Sequence, residues 1–189
     1  VSHDRRGFKP LLSLVVPMYN EADGLDAFFD EVEVILNTLM QDTRIADYEI
    51  ICINDGSADD TVFRLHDHHQ RNPHIKILDL SRNFGKEAAL SAGLANAIGD
   101  VVIPIDADLE EPPQLIADFL DKWYAGFDIV YGARISRKHD PLTKQVTSNL
   151  FYRVFNAISE HPIPSDAGDY RLMDRAVVDV VNAMPERNR

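Results

Sequence analysis

Two carboxylates one residue apart, Asp106 and Asp108, follow the apolar run Val101-Val102-Ile103-Pro104-Ile105. Extended residues i and i+2 project to the same side, so both acids are expected to face one point. Magnesium takes one or two protein carboxylates and completes its shell with water and substrate phosphates, so Asp-x-Asp after a strand suits a metal and diphosphate site. The plainer alternative is a polar turn with helix-capping acids. Asn54-Asp55-Gly56-Ser57 also closes an apolar run; Asp55 could accept hydrogen bonds from a base or ribose while Gly56 allows close backbone approach, or the four residues could form an Asx turn. Pro17-Met18-Tyr19-Asn20-Glu21 closes a third run. There Tyr19 could stack and Glu21 could accept hydrogen bonds, or Asn20 and Glu21 could simply begin a helix.

Two other patterns carry less. His66-x-His68-His69 looks like a metal cluster, but on a helix only positions 66 and 69 share a face, and a solvated helix surface is the expected reading. Gly85-Lys86 lacks the upstream glycine and the following Ser/Thr of a phosphate loop, although Lys86 could reach a phosphate as a point charge.

The elements that must position these residues alternate along the chain. Leu11 to Pro17, Tyr48 to Ile53, Ile75 to Leu80, Val101 to Ile105 and Ile129 to Tyr131 read as strands; near-continuous Val, Ile and Leu imply burial on both faces and a parallel sheet. Pro104 is awkward in a central strand. Glu21 to Leu39, Asp60 to Gln70, Glu87 to Ile98 and Pro113 to Tyr124 read as helices, which specifies an α/β fold with ligands at the carboxyl ends of the strands. After Gly132 the pattern changes: a polar loop to Pro141, an amphipathic helix from Thr143 to Ile158, a loop containing Pro162, Pro164 and Gly168, and a short helix from Arg175 to Met184.

With 189 residues the chain suits one domain. Nineteen Lys and Arg against 31 Asp and Glu give a net charge of -12, which opposes nucleic-acid binding, since that affinity comes from cations displacing counterions. Within this acidic body residues 134–153 form a basic island, with Arg134, Arg137, Lys138, Lys144 and Arg153 against Asp140 alone. Such an island beside an amphipathic helix suits an anionic membrane surface and a phosphate-bearing ligand. One cysteine, Cys52, excludes an internal disulfide and fits a reducing setting. No apolar stretch approaches the ~20 residues of a membrane span, so the chain itself is expected to be soluble.

Taken together, Val-Val-Pro-Met-Tyr-Asn-Glu (15–21), Asn-Asp-Gly-Ser (54–57), Ser-Arg-Asn-Phe-Gly-Lys-Glu-Ala-Ala (81–89), Asp-Ala-Asp-Leu-Glu-Glu-Pro-Pro (106–113) and Asp-Ala-Gly-Asp-Tyr-Arg-Leu-Met (166–173) resemble family-2 glycosyltransferases. The branch they resemble acts on polyprenyl phosphates and includes bactoprenol glucosyltransferases and dolichyl-phosphate mannose synthases. The resemblance implies a GT-A fold over residues 11–189, a Rossmann-like, mostly parallel sheet with helices on both faces, preceded by an extension (1–10) that is disordered or foreign to the domain. It implies inverting transfer of a sugar, expected to be glucose from UDP-glucose, to a polyprenyl phosphate at the cytoplasmic membrane face. Pro17, Tyr19, Glu21, Asp55, Lys86, Asp106 and Ala107 then fall in the nucleotide-sugar pocket, and Asp106 and Asp108 on Mg²⁺ or Mn²⁺. Asp169 matches the residue assigned the base role, with Asp166 as alternate, and Arg134 and Arg137 are the candidates for the acceptor phosphate.

Two positions depart from the family's pattern: Asn54 stands where Asp is usual, and Glu110 where Gln is frequent. The branch carries transmembrane helices after this region, so the chain looks like a catalytic domain without its anchor. A catalytically silent sugar-nucleotide binder of the same fold is the alternative reading. A haloacid-dehalogenase-like phosphatase ranks last, because Ile53 stands where its nucleophilic Asp would have to be. Identity of the sugar and polyprenol, and any homo-oligomer, stay open.

Overall fold

The computed structural model describes Arg5, residues 7–133 and residues 167–184. Six strands form one sheet: β1 (Leu11–Met18), β2 (Asp47–Asn54), β3 (Ile75–Asp79), β4 (Val101–Pro104), β5 (Ile129–Ala133) and β6 (Ala167–Asp174). Helices α1 (Leu25–Gln41), α2 (Thr61–Arg71), α3 (Lys86–Asn96), α4 (Leu115–Tyr124) and α5 (Arg175–Ala183) cover it. The strand order is β3-β2-β1-β4-β6-β5. β3, β2, β1 and β4 run parallel, whereas β6 is antiparallel to both β4 and β5. This is the mostly parallel, helix-covered α/β sheet expected from the sequence.

The alternation of strand side chains divides the core in two. Leu12, Leu14 and Val16 of β1 and Ile50 and Cys52 of β2 pack with α1, α2 and α4, whose contributions include Phe28, Val32, Leu65, Ile116 and Phe119. Val15, Ile51 and Ile53 point the other way, toward Ala89 of α3 and Val178 of α5. α1 reaches its layer because Leu25, Phe28, Phe29, Val32, Leu36 and Leu39 recur at helical spacing. α3 lies close on β1 and β2 because Gly93 is small there: a Cβ would stand 2.4 Å from Val15 Cγ1 and 2.7 Å from Ile53 Cδ1.

Pro104 is accommodated by its place in the ladder. The amide of Ile105 donates to Val15 O (3.0 Å), so the alternating Pro104 nitrogen faces the β6 side, where pairing ends at Val102↔Met173.

The 167–174 segment is the main departure from the sequence reading. Its composition suggests a loop leading to a helix, but it forms β6, with Tyr170, Leu172 and Met173 buried. Ala-Gly-Asp at its start are poor strand formers, and what recruits them is pairing with β5, which runs from Ile129↔Met173 as far as Ala133↔Ala167, while β4 joins at the far end through Val102↔Met173 and Val101↔Asp174. The loop and amphipathic helix expected over 134–158 lie outside the described residues.

Far from the strands' carboxyl ends, Glu49 on β2 is 3% exposed. It accepts hydrogen bonds from Ser13 Oγ, Lys76 Nζ (each 2.5 Å) and the Ile98 amide (2.8 Å). Burial alone would raise its carboxyl, but these donors outweigh it and hold Glu49 below the usual range. Arg5, ahead of β1, pairs with Asp128 (2.5 Å) and Asp174 (2.8 Å) and stacks over Trp123 at 4.6 Å. Among the described residues no helix is long and apolar enough to cross a membrane.

Candidate functional site

A cleft of about 300 Å³ opens where β1, β2 and β4 end and α3 begins, lined by Pro17, Met18, Tyr19, Glu21, Asp55, Asn83, Gly85, Lys86, Ala89, Asp106, Ala107 and Asp108. All eight residues assigned from the sequence to the nucleotide and metal pocket therefore border one cavity. Its position follows from the topology, since loops leaving the carboxyl ends of parallel strands meet above the sheet.

Each wall is fixed by hydrogen bonds of residues distant in sequence. After β1, Asn20 adopts a left-handed φ of 57°, which asparagine tolerates. The Asn20 amide donates to Ser57 Oγ (2.9 Å), the Ala58 amide donates back to Asn20 Oδ1 (2.8 Å), and the Glu21 amide donates to Thr61 Oγ1 (2.9 Å). These bonds delay the helix expected from Glu21 until Leu25 and tie the loops after β1 and β2 into one unit.

Asp55 is buried, and its carboxylate accepts the amides of Phe84 (Oδ1, 2.7 Å) and Gly85 (Oδ2, 2.9 Å). It thereby fastens the loop that leads into α3 and carries Asn83 and Lys86 into the cleft. Gly56 makes the same contact possible. At φ 65° it leaves no room for a side chain, because a Cβ would lie 2.4 Å from the Arg82 carbonyl carbon and 2.5 Å from the Asn83 nitrogen. Asn54, 2% exposed, donates from Nδ2 to Asp79 Oδ1 (2.7 Å) and accepts the Ser57 amide (3.2 Å). Asn54 thus has a local partner, the carboxylate ending β3.

The third wall is the Asp-x-Asp turn. Extended geometry ends sooner than the i, i+2 argument assumes: β4 stops at Pro104, and Asp108 sits in a turn that places Leu109 at φ 57°. Asp108 Oδ1 accepts the Glu110 amide (3.0 Å), so the capping role and the cleft position coexist. Asp106 is paired with Lys86, Oδ2 to Nζ at 2.7 Å. Burial, followed by the carboxylates of Asp108, Asp106 and Asp59, pushes the Glu21 carboxyl above its ordinary value, which marks a crowd of negative charge. Hard carboxylate oxygens in a cleft open to phosphate ligands suit a divalent cation that borrows the rest of its shell from substrate. Among the described residues no group of three or more His, Cys, Asp or Glu is arranged around a metal position, so protein donors alone number fewer than three there.

The histidines of α2 do something else. His68 Nε2 meets Asp26 Oδ1 at 2.7 Å and its ring lies 4.3 Å from Phe29; His69 Nδ1 meets Ile75 O at 2.6 Å. His68 and His69 thereby tie α2 to α1 and β3, while His66 and His69 lie on the exposed helix surface that the pattern suggests. Of the acceptor-side candidates, Arg134, Arg137 and Asp166 lie outside the described residues, and Asp169 lies on β6. Met18, Asn83, Gly85 and Ala89 also line the cleft although the sequence reading assigns them no place in the pocket; all four are discoverable, since Met18 lies in the 15–21 motif and the others in the 81–89 motif.

The profile of glycosyl transferase family 2 matches residues 13–181. An uncharacterized glycosyltransferase of Synechocystis, sll0501, is 52% identical over 94% of this chain and 54% of its own length. A prophage bactoprenol glucosyl transferase homolog of Escherichia coli is 41% identical over 94% of this chain and 56% of its own. The chain spans about half the length of these relatives. Among solved structures, the fold is shared with mannosyltransferase PcManGT of Pyrobaculum calidifontis in complex with GDP-Man and Mn²⁺ (TM-score 0.64, 22% identity, 95% of this chain and 48% of that one). It is shared as well with glucosyl-3-phosphoglycerate synthase of Mycobacterium tuberculosis in complex with UDP (TM-score 0.63, 21% identity, 92% and 59%).

Proposed function

Since the chain belongs to glycosyl transferase family 2, we propose that its cleft binds a nucleotide-sugar, UDP-glucose first among candidates, and that the protein transfers the sugar with inversion to a polyprenyl phosphate at the membrane. The observation that carries this reading is the meeting of Glu21, Asp55, Lys86, Asp106 and Asp108 in one cleft at the strand ends. Similarity at 41% identity to a bactoprenol glucosyl transferase homolog supports the acceptor class and the glucosyl group.

Asp106 and Asp108 would hold Mg²⁺ or Mn²⁺, which supplies charge neutralisation of the departing diphosphate. Lys86 reaches the same diphosphate as a point charge from the first turn of α3. Tyr19, 47% exposed at the rim, offers a stacking face, with Pro17 and Ala107 completing the floor. Asp55 acts by holding the 84–86 backbone in register. An acceptor phosphate oxygen attacks the anomeric carbon, forming the C–O bond as the bond to the nucleoside diphosphate breaks and its electron pair leaves with the diphosphate. A phosphate monoester has its second pKa near ~6 and is largely ionised at neutral pH, so little base assistance is needed. Asp169, or Asp166, takes any residual proton or orients the acceptor, and Arg134 and Arg137 meet the lipid phosphate.

The test is incubation of the membrane-associated protein with Mn²⁺ or Mg²⁺, labelled nucleotide-sugars and undecaprenyl phosphate. Labelled glycolipid is expected, falling about 100-fold or more in Asp106→Asn and Asp108→Asn, the scale of losing a charge-stabilising group. No glycolipid from any donor, with donor binding intact, would leave a silent binding module.

A further inference from the structure

The Lys86–Asp106 pair joins two groups that the proposed reaction needs apart. Lys86 Nζ lies 2.7 Å from Asp106 Oδ2, and both side chains are partly exposed, at 43% and 35%. Lys86 opens α3, where the positive end of the helix dipole disfavours a cation. An ammonium there needs a facing anion. Glu21, Asp106 and Asp108 line the same cleft, and Asp106 meets the ammonium directly. A divalent cation on Asp106 would bring two further positive charges to within a few ångströms of this ammonium and of the helix end. The repulsion is relieved when an incoming anion takes the lysine, and a diphosphate is such an anion.

We propose that Lys86 is an exchangeable counter-ion: it neutralises Asp106 in the donor-free protein and releases that carboxylate when a nucleoside diphosphate arrives to receive the ammonium, so that metal and donor bind as a unit. This rests on the reading of Asp106 as a metal ligand. The consequence is weak affinity for the free cation and strong coupling between cation and nucleotide, reciprocal by linkage.

The experiment titrates Mn²⁺ alone, and Mn²⁺ in saturating UDP, followed by the electron paramagnetic resonance signal of the free ion. The proteins are wild type, Lys86→Met, Lys86→Arg and Asp106→Asn. Removing one positive charge about 5 Å from a divalent ion at high dielectric corresponds to roughly tenfold in affinity. Lys86→Met should therefore bind Mn²⁺ alone roughly tenfold more tightly than wild type, while the tightening that UDP confers falls by about the same factor. Lys86→Arg, which keeps the charge, should match wild type for Mn²⁺ alone. Equal or weaker binding of Mn²⁺ alone to Lys86→Met overturns the exchange. The underlying metal reading fails by a different sign: Mn²⁺ binding, with or without UDP, that Asp106→Asn leaves unchanged.

Discussion

Replacing Asn54 by Asp should destabilise this chain. Asn54 is 2% exposed and donates to Asp79 Oδ1 at 2.7 Å. Asn54→Asp removes that hydrogen bond, a loss of about 1 kcal/mol, and sets two carboxylates in contact. At 2.7 Å two unit charges repel by ~1.5 kcal/mol at the dielectric constant of water, and more as burial lowers it. Asp79 is exposed and can swing outward, so a total near ~3 kcal/mol is expected, or roughly 6–12 °C in Tm for a domain of this size.

The sign of the pH dependence follows from the new group. Its folded pKa is raised above the unfolded value near ~4, so the penalty is absent at low pH and grows as pH rises through that interval. Thermal unfolding of wild type and Asn54→Asp at pH 5 and pH 8 should show the larger deficit at pH 8. Adding Asp79→Asn restores one donor and one carboxylate with their places exchanged, and the carboxylate introduced at position 54 still accepts the Ser57 amide, so most of the loss should return. An Asn54→Asp protein as stable as wild type at pH 8, or a double variant no better than the single one, would refute the reasoning.

Gly56→Ala should cost ~1–3 kcal/mol from its positive φ, and should force the 82–83 backbone outward by about 1 Å to restore ordinary contact from 2.4 Å; nucleotide titration should show weakened UDP binding along with the lowered Tm. Glu49→Gln should cost about 1–3 kcal/mol at pH 7, measured by urea denaturation, by removing the charge of a buried carboxylate that accepts from Ser13, the Ile98 amide and the half-exposed Lys76. Because the folded Glu49 carboxyl lies below its ordinary 4.5, its contribution is complete above that value and is lost as pH falls beneath it, so the acid limb of the stability profile should flatten in Glu49→Gln.

What could be read from the chain and what could not divides by the range of the forces involved. β1, β2 and β4 announce themselves as apolar runs, and α4 through Ile116, Phe119, Leu120 and Trp123 at helical spacing, because burial is a property of each segment's own pattern. The cleft residues were legible for a related reason, since polar clusters at the ends of buried strands must emerge together. β6 was not legible, because its Ala-Gly-Asp start is held by pairing with β5. Nor was the grip of Asp55 on the Phe84 and Gly85 amides, nor the pairing of Asn54 with Asp79: each joins a side chain to a partner 25 or more residues away, with no spacing rule to expose it.

The pairing of β5 with β6 has a consequence for how this framework can vary. Ala133 and Ala167, the last residue of β5 and the first of β6, are partners in adjacent strands. The two strands are thus held to each other through their own ladder, and the cleft at the ends of β1, β2 and β4 draws none of its described lining from either, so substitutions along the β5–β6 edge are separable from changes to the cleft.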